Sequence, residues 1–326
     1  MSKPLVGFLG VGWIGRNRME AILADGAVEA VAVADPSSDC VAAARALAPQ
    51  AEVVGGLDQM LALGLDGVVI ATPSALHADQ TLQALRGGAA VFCQKPLGRT
   101  AGEVHEVHDV SRNSDRLLMV DLSYRYTAAA VAVRDLVSSG AIGRVRAADL
   151  TFHNAYGPDK PWFYDPALSG GGCVMDLGVH LIDLALWTLG WPEVVQVESQ
   201  LLSGEAPARP DQCEDYAVAT LMLAGGAVVR LACSWRLHAG REAVIAAEFY
   251  GSQGGAGLRN VGGSFYDFTA ERFEGTTSTL LASPPDAWGG RAAVDWARRL
   301  AGGGRYDPEA ARLEDVSRVL DRIYGR

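Results

Sequence analysis

The sequence has few cysteines, and no two of them stand at metal-binding spacing. Its 326 residues include five, scattered along the chain as Cys40, Cys93, Cys173, Cys213 and Cys233. The absence of any C-x-x-C pair argues against a disulfide framework and against a structural zinc site. We therefore expect reduced thiols, a cytoplasmic protein and no metal.

An excess of positive charge and long apolar runs are also lacking. There are 28 Lys and Arg residues against 38 Asp and Glu, a formal net charge of −10. This balance disfavours nucleic acid and anionic membrane surfaces as partners. No run reaches the ~18 apolar residues of a membrane span, and a strand pattern begins at Leu5, too early for a signal peptide.

What the chain does have is length and apolar content. A chain of 326 residues exceeds the ~250–300 at which single cores stop growing, and its hydrophobic fraction is 49%. We therefore predict two domains, residues 1–123 and 124–326. The C-terminal helix, predicted at Pro308–Tyr324, is expected to pack back on the first of them.

A G-x-G-x-x-G motif occupies Gly10–Gly15. Such a motif is weak evidence alone, but here an apolar strand, Leu5–Leu9, precedes it and a helical pattern, Trp13–Ala24, follows it. Strand, glycine turn and helix together are typical of a dinucleotide-binding unit, in which the helix N-terminus holds the pyrophosphate.

Each glycine of this motif has a physical task. Gly10 allows the tight turn, Gly12 lets the backbone approach a pyrophosphate, and Gly15 lets the helix lie close to the strand. Asp35 ends a second strand, Glu29–Ala34, 20 residues after Gly15. Unless it only terminates that strand, its carboxylate accepts hydrogen bonds from the adenosine ribose and repels a 2′-phosphate. The next three residues include no arginine, so NAD(H) is favoured over NADP(H).

Short apolar strands and amphipathic helices continue to alternate up to residue 120. Further strands are predicted at Gly67–Ala71, Ala89–Cys93 and Leu117–Val120, and helices at Ala75–Arg86 and Gly102–Arg112. This alternation predicts a doubly wound parallel sheet, whose ligands bind beyond the carboxyl ends of the strands. Lys95 follows one of these strands and is therefore a functional candidate, although most lysines are merely solvated.

The stretch Ser169–Asp183 combines three glycines with a helical pattern. Asp176, His180 and Asp183 recur at offsets of four and seven, which places them on one face of an α-helix. Two interpretations are open: a catalytic site, or a buried helix whose polar groups are satisfied by its neighbours.

Several ordered motifs resemble the Gfo/Idh/MocA oxidoreductases, the glucose–fructose oxidoreductase and inositol dehydrogenase family. They are the glycine loop, A-T-P-x-x-x-H at Ala71–His77, Gln94–Pro96, S-Y-R-Y-T at Ser123–Thr127, and G-G-G followed by D-L-G-x-H-x-x-D at Gly170–Asp183. The resemblance implies a Rossmann domain followed by an α/β domain with a large, open, mostly antiparallel sheet. It also implies an NAD cofactor and a sugar or polyol substrate.

Carried over by position, the family's catalytic residues are Lys95, Asp176 and His180. The cofactor-binding set is Gly10, Gly12, Trp13, Ile14, Gly15, Asp35, Thr72, Pro73, His77, Gln94 and Lys95. One position departs from the family, which usually has glutamate where this chain has Gln94. Without that negative charge beside Lys95, we expect a pH profile that differs from the family's.

The second half of the chain is β-rich. Strands are predicted at Val145–Phe152, Val194–Leu202, Tyr216–Leu223, Ala227–Trp235 and Ala243–Tyr250, and a helix at Ala128–Ser139. Gly225-Gly226 predicts a hairpin, and Gly251–Gly263 and Gly302–Gly304 are interpreted as turns or flexible connections. The face of this sheet away from the helix is a candidate homo-oligomer surface.

Aromatic and polar groups around the domain junction and within residues 153–164 suit a sugar. The candidate substrate residues are Tyr124, Arg125, His153, Asn154, Trp162 and Tyr164. Each of the loop residues is as well explained by ordinary packing.

We therefore predict hydride transfer between NAD(H) and a carbinol or carbonyl carbon. Either His180 or Lys95 exchanges the proton, and Asp176 binds or orients the substrate. Three alternatives stay open: a metal held by Asp176, His180 and Asp183; a redox-neutral reaction on tightly held NAD; and a non-catalytic NAD-binding regulator.

Overall fold

The structure, a computed structural model, describes residues 2–326 and divides into two compact units. The first comprises the chain up to Ser123 together with Gly289–Glu314, and the second comprises Tyr124–Trp288 together with Asp315–Arg326. Both units are therefore built from two separate pieces of chain.

The first unit contains a six-stranded parallel sheet in the order β3-β2-β1-β4-β5-β6. Its strands are β1 (Leu5–Leu9), β2 (Glu29–Ala34), β3 (Glu52–Val53), β4 (Gly67–Ile70), β5 (Ala90–Cys93) and β6 (Leu118–Val120). Its first five helices are α1 (Trp13–Asp25), α2 (Ser38–Leu47), α3 (Leu57–Leu61), α4 (His77–Arg86) and α5 (Ala101–Ser114). The predicted doubly wound sheet is confirmed. The elements α2, β3 and α3 were not predicted.

The second unit contains a nine-stranded open sheet in the order β15-β14-β13-β12-β7-β11-β10-β8-β9. Its strands are β7 (Val145–Asn154), β8 (Val194–Ser203), β9 (Ala206–Pro207), β10 (Tyr216–Leu223), β11 (Val228–Ser234), β12 (Ala243–Gly251), β13 (Gly255–Asn260), β14 (Phe268–Glu274) and β15 (Thr277–Ala282). All neighbours are antiparallel except β7 and β11. The predicted hairpin joins β10 to β11, and both of its glycines adopt positive φ.

The prediction of turns over Gly251–Gly263 is wrong, because β13 runs through this segment. Its glycines look like loop residues in the sequence, yet Gly255 and Gly257 pair with β14 and lie beneath the ring of Phe273. A Cβ on Gly257 would stand 3.0 Å from Phe273 Cζ. The missing side chains therefore make room for an aromatic ring on the sheet.

The helical layer of the second unit covers the inner face of this sheet. It contains α6 (Ala128–Ser138), α7 (Pro166–Ser169), a π-helical turn (Val174–Gly178) and α8 (Val179–Thr188). The segment Pro166–Thr188 is, among residues 2–326, the one helical stretch apolar and long enough to cross a membrane by length and composition alone. In its most apolar window 83% is buried inside the protein, as expected for the core helix of a folded domain.

The C-terminal segment is shared by the two units. Helix α9 (Arg291–Ala301) belongs to the first, because Trp296 is fully buried there with its ring centroid 6.0 Å from that of Phe92. Helix α10 (Arg312–Tyr324) follows a 3₁₀ turn, and from Asp315 on it belongs to the second unit. The predicted boundaries, 1–123 and 124–326, thus differ from the compact units at residues 289–314. From Asp315 onward the last helix groups with the second unit, and its packing on the first domain stays a prediction.

Candidate active site

The glycine loop of the first unit is closely packed on one side and open on the other. A Cβ at Gly15 would stand 2.0 Å from Gly10 O, and one at Gly10, where φ is +81°, would stand 2.6 Å from the Ala71 backbone. A Cβ at Gly12 would meet no atom within 4 Å. Gly12 precedes α1, and no side chain caps that helix. The open backbone at Gly12 and the helix N-terminus behind it fit the pyrophosphate of a dinucleotide.

Asp35 follows β2 and ties the glycine loop in place. Its Oδ2 accepts a hydrogen bond from Val11 N at 2.8 Å, and its Oδ1 accepts one from Ser37 N at 2.9 Å. Each carboxylate oxygen has a second lone pair, and the side chain is partly exposed. Asp35 therefore holds the loop and retains the capacity to accept ribose hydroxyls.

His77 braces the loops that follow β4 and β5. It is buried, with Nε2 2.7 Å from Thr72 O and Nδ1 2.7 Å from Pro96 O. Burial lowers the pKa of His77, although both carbonyl contacts raise it. Protein carbonyls lie at both ring nitrogens, so His77 supports these two loops, and its contact with the cofactor stays a prediction. The Lys95-Pro96 bond that it supports is cis.

Gln94 lies beside a buried ion pair. Its Nε2 donates to Asp121 Oδ2, and the same oxygen accepts from Arg18 Nε at 2.6 Å. Asp121 directly follows β6 and is 1% exposed. A carboxylate thus stands next to the neutral amide, which the sequence analysis did not anticipate.

In the second unit, Asp176 lies in the π-helical turn and His180 in the first turn of α8. The two residues are therefore not spaced on a continuous α-helix, as the sequence analysis assumed. In a π-helical turn the backbone hydrogen bonds join residues five apart, whereas in an α-helix they join residues four apart. Asp176 is therefore rotated about the helix axis relative to its position in a regular α-helix. Such turns are frequent at functional sites.

Asp176 is held by a residue that the sequence analysis missed. Its Oδ2 accepts a hydrogen bond from Trp235 Nε1 at 3.0 Å. The Trp235 ring in turn meets that of Tyr164 edge-on, with centroids 5.5 Å apart. This places one candidate substrate residue, Tyr164, next to the catalytic candidate. Trp235 was read only as the end of a strand.

His180 is buried among aromatic rings. Its ring centroid is 4.8 Å from that of Tyr124 and 6.4 Å from that of Phe152. His180 is only 7% exposed to solvent. Tyr124 also contacts Phe268 and Trp288. The candidate substrate residue Tyr124 therefore packs against the imidazole of His180 and restricts its orientation.

Asp183 and Arg125 are bound to each other. Arg125 Nε donates to Asp183 Oδ2 at 2.7 Å, Arg125 Nη2 donates to Oδ1, and the guanidinium lies 5.1 Å from the centre of the Trp191 ring. Burial raises the pKa of Asp183, and Arg125 opposes that rise. This bidentate pair occupies the guanidinium of Arg125 and indicates a structural role for Asp183.

Glu214 closes the glycine turn before Asp176, and no motif pointed to it. Its carboxylate accepts hydrogen bonds from Gly172 N at 2.9 Å, Val174 N at 2.8 Å and Tyr324 Oη at 2.9 Å. Burial raises the pKa of Glu214, and these donors lower it. A Cβ at Gly172 would stand 1.9 Å from Glu214 O. The absence of a side chain at Gly172 permits this close approach. No sequence pattern links Glu214 to the glycine turn, so its role becomes visible only in the structure.

The remaining candidate substrate residues, His153, Asn154 and Trp162, have different surroundings. His153 Nδ1 is 2.7 Å from Ser234 Oγ, and its ring stacks on Tyr216. Strand alternation puts His153 on the face opposite Phe152, whose ring lies near that of His180, so the structure does not bring His153 together with His180. Asn154 accepts from Tyr156 N within its own loop, and Trp162 stacks on Phe163 at 3.8 Å.

Among residues 2–326, no group of three or more His, Cys, Asp or Glu side chains is placed to hold a metal ion. The metal alternative required Asp176, His180 and Asp183 to converge. Asp183 is instead engaged by Arg125, so that alternative is not supported by the geometry.

A parallel sheet with an open glycine loop, and a mostly antiparallel sheet packed on a helix that follows a glycine turn, are the architecture of an NAD-binding oxidoreductase of the two-domain Rossmann class. Family models match both halves: residues 5–122 match an oxidoreductase family with an NAD-binding Rossmann fold, and residues 130–256 match the GFO/IDH/MocA C-terminal domain. The chain belongs to the GFO/IDH/MocA family.

Its relatives include sugar and polyol enzymes. D-glucoside 3-dehydrogenase of Escherichia coli (strain K12) is 27% identical over 61% of this chain and 60% of its own length. Inositol 2-dehydrogenase of Rhizobium meliloti (strain 1021) is 29% identical over 78% of this chain and 75% of its own. A levoglucosan dehydrogenase solved with NADH and levoglucosan is 22% identical and superposes with a TM-score of 0.84, covering 99% and 97% of the two chains. The chain thus matches about 60% of the length of the glucoside enzyme. At 22% identity, the similarity to the levoglucosan dehydrogenase structure concerns the fold alone.

Proposed function

We propose that this protein transfers a hydride between NAD(H) and a carbinol or carbonyl carbon of a sugar, sugar derivative or polyol. One observation carries the proposal: Asp176 lies in the π-helical turn and His180 in the first turn of α8 directly after it, beside the rings of Trp235 and Tyr124, respectively. A proton-exchanging group, a carboxylate and aromatic faces are what a sugar hydroxyl requires. The named relatives act on sugars and inositol.

The cofactor would be held by the residues already described. The glycine loop and the N-terminus of α1 receive its pyrophosphate, and Asp35 accepts its ribose hydroxyls. When bound, the nicotinamide accepts the hydride that leaves the carbinol carbon, or returns it in the reverse direction. Because Asp35 repels a 2′-phosphate, NAD(H) is the preferred form.

The chain's own residues handle the proton. His180 takes the proton of the substrate hydroxyl as the carbon–hydrogen bond breaks, since an imidazole can both accept and donate a proton. Lys95 stabilises the developing alkoxide through its charge. Asp176, fixed by Trp235, binds a neighbouring hydroxyl.

A panel of polyols, sugars and ketosugars, assayed with NAD⁺ or NADH at several pH values, tests the proposal. Turnover with at least one of them, and weaker turnover with NADP(H), is expected. NAD that co-purifies and is never consumed would instead favour a redox-neutral reaction. NAD binding without turnover on any substrate would favour a regulator.

We also infer a cytoplasmic homo-oligomer. All five cysteines are free, which suits a reducing compartment. The outer face of the large sheet carries a row of short side chains with little charge, Val218, Ala232, Thr151 and Ala246, which pair across four neighbouring strands. Such a flat, partly apolar row suits a second copy of the same sheet.

A further inference from the structure

Gln94, Asp121 and Arg18 form a buried cluster at the carboxyl edge of the parallel sheet. Gln94 follows β5 and Asp121 follows the neighbouring β6, and Asp121 N donates to Cys93 O at 2.9 Å. Arg18 reaches them from α1. The three residues are 8%, 1% and 6% exposed, respectively. Their interactions are therefore made almost without water.

The chemistry of the cluster fixes the orientation of the Gln94 amide. An ionised carboxylate only accepts hydrogen bonds, so the group that contacts Asp121 Oδ2 has to be the amide nitrogen of Gln94. The carbonyl oxygen, at the other end of the amide plane, then faces away from Asp121. Position 94 consequently presents an acceptor without charge.

The cluster is balanced in charge as it stands. The guanidinium of Arg18 and the carboxylate of Asp121 cancel, and Asp121 Oδ1 is buried without a hydrogen-bond partner. No donor in the described part of the chain therefore reaches Asp121 Oδ1, and Asp121 Oδ2 is shared by Arg18 and Gln94. A carboxyl group at position 94 would meet Asp121 at hydrogen-bond distance, and two buried like charges do not both ionise.

We propose that Asp121, held by Arg18, is a positioning residue that requires a neutral amide at position 94 and fixes its direction. The chain thereby presents a pH-independent acceptor immediately before Lys95. The ionisable groups around it are Arg18 from α1, Asp121 after β6, Lys95, and the thiol of Cys93, whose pKa burial raises to about 12. This proposal rests on the proposed function in one respect: it assumes that NAD binds at the edge of the sheet where Gln94 lies.

Gln94→Glu tests this by its pH profile. In the folded variant the new carboxyl group holds its proton to higher pH than in the unfolded chain, so stability falls as pH rises above ~4.3. We expect the thermal midpoint to fall by roughly 5–15 °C between pH 5 and pH 8, relative to the unsubstituted protein. Gln94→Glu/Asp121→Asn exchanges the amide and the carboxylate, and should recover at least half of that loss. Asp121→Asn alone should lower the midpoint without adding a pH slope.

Gln83→Glu is the matched control. Gln83 Nε2 also donates to an aspartate, Asp58 Oδ1, but both residues are exposed, so water screens the new charge and the midpoint should hardly move with pH. A Gln94→Glu profile parallel to that control, or a double variant without recovery, would overturn the proposal. Absence of sugar turnover in the unsubstituted protein would reject the proposed function and leave this coupling measurable, since unfolding needs no substrate.

Discussion

At the scale of single residues, His180 and Asp183 show how environment assigns different work to side chains on one helix. His180 is enclosed by the rings of Tyr124 and Phe152, which offer its nitrogens no charge. Asp183 is gripped by the guanidinium of Arg125. Because Arg125 engages both oxygens of Asp183, the imidazole is the better suited of these two side chains to proton exchange.

Replacing His180 with alanine should lower turnover by ~10²–10⁴-fold, the usual contribution of a general acid or base. The KM for substrate should change less than kcat, because the loss falls on the proton-transfer step. His105→Ala, an exposed histidine of the first unit, is the control. Turnover near that of the unsubstituted protein would show that His180 does not carry the proton.

Arg125→Met should destabilise the protein in a pH-dependent manner. Without the guanidinium, the pKa of buried Asp183 rises further above its unfolded value, so stability is lost as pH rises through that range. Removing one partner of a buried pair costs about 3–5 kcal/mol, expected at pH 8 and reduced at pH 5. Denaturant unfolding at the two pH values measures it. Arg125→Met/Asp183→Asn should abolish the pH dependence, and a persisting slope would contradict this account.

At the scale of elements, the π-helical turn and its glycine entry form one construction. Gly172 and Val174 donate their backbone N–H groups to Glu214, and Tyr324 completes its coordination. The turn that carries Asp176 is therefore anchored on a buried carboxylate. Its geometry depends on how closely the chain passes Glu214.

Gly172→Ala should disturb this turn strongly, since its Cβ would overlap the backbone oxygen of Glu214 at 1.9 Å. We expect a lower unfolding midpoint and at least tenfold lower turnover, because Asp176 shifts with the turn. Gly102→Ala, in the first turn of α5 with no Cβ neighbour closer than 3.7 Å, should be neutral or slightly stabilising. Equal behaviour of the two variants would disprove the packing argument.

Most elements were predictable because their signals are local. The strand bounds Leu5–Leu9, Glu29–Ala34 and Tyr216–Leu223 follow from apolar runs between turn residues, and the structure has the same bounds. The π-turn was not predictable, since a pattern of offsets four and seven also fits a regular helix. Glu214 was missed because it is 42 and 40 residues away from Gly172 and Val174, whose N–H groups it binds.

At the scale of the whole molecule, the candidate interface predicts an association that can be broken. Ala232→Glu/Ala246→Glu places two charges in the short-chain row on the outer face of the sheet. Light scattering should show a smaller species than for the unsubstituted protein. Ala62→Glu, at an exposed site at the end of α3, should leave the mass unchanged. A monomeric unsubstituted protein would reject the interface.

The assignment of residues 289–314 shows where reasoning along the sequence stops. The alternation of short strands and helices ends near residue 120 and marks the boundary of the Rossmann domain, but no local pattern indicates that Trp296 packs against Phe92. The space for it is left by Gly67, whose Cβ would stand 2.9 Å from the Trp296 ring. Such complementarity becomes visible only when the distant segments are seen together.

The interleaving of the two units has a consequence for synthesis. The first unit needs residues up to Glu314 and the second needs residues up to Arg326, whereas domains made of one continuous piece fold in order as they leave the ribosome. Here the parallel sheet is completed only when α9 has been made. Glu214, which holds the turn that carries Asp176, gains its hydrogen bond from Tyr324 only when the C-terminus has been made. Nascent chains halted before residue 289 should therefore lack both finished units, and the first half gains no lead from being made first.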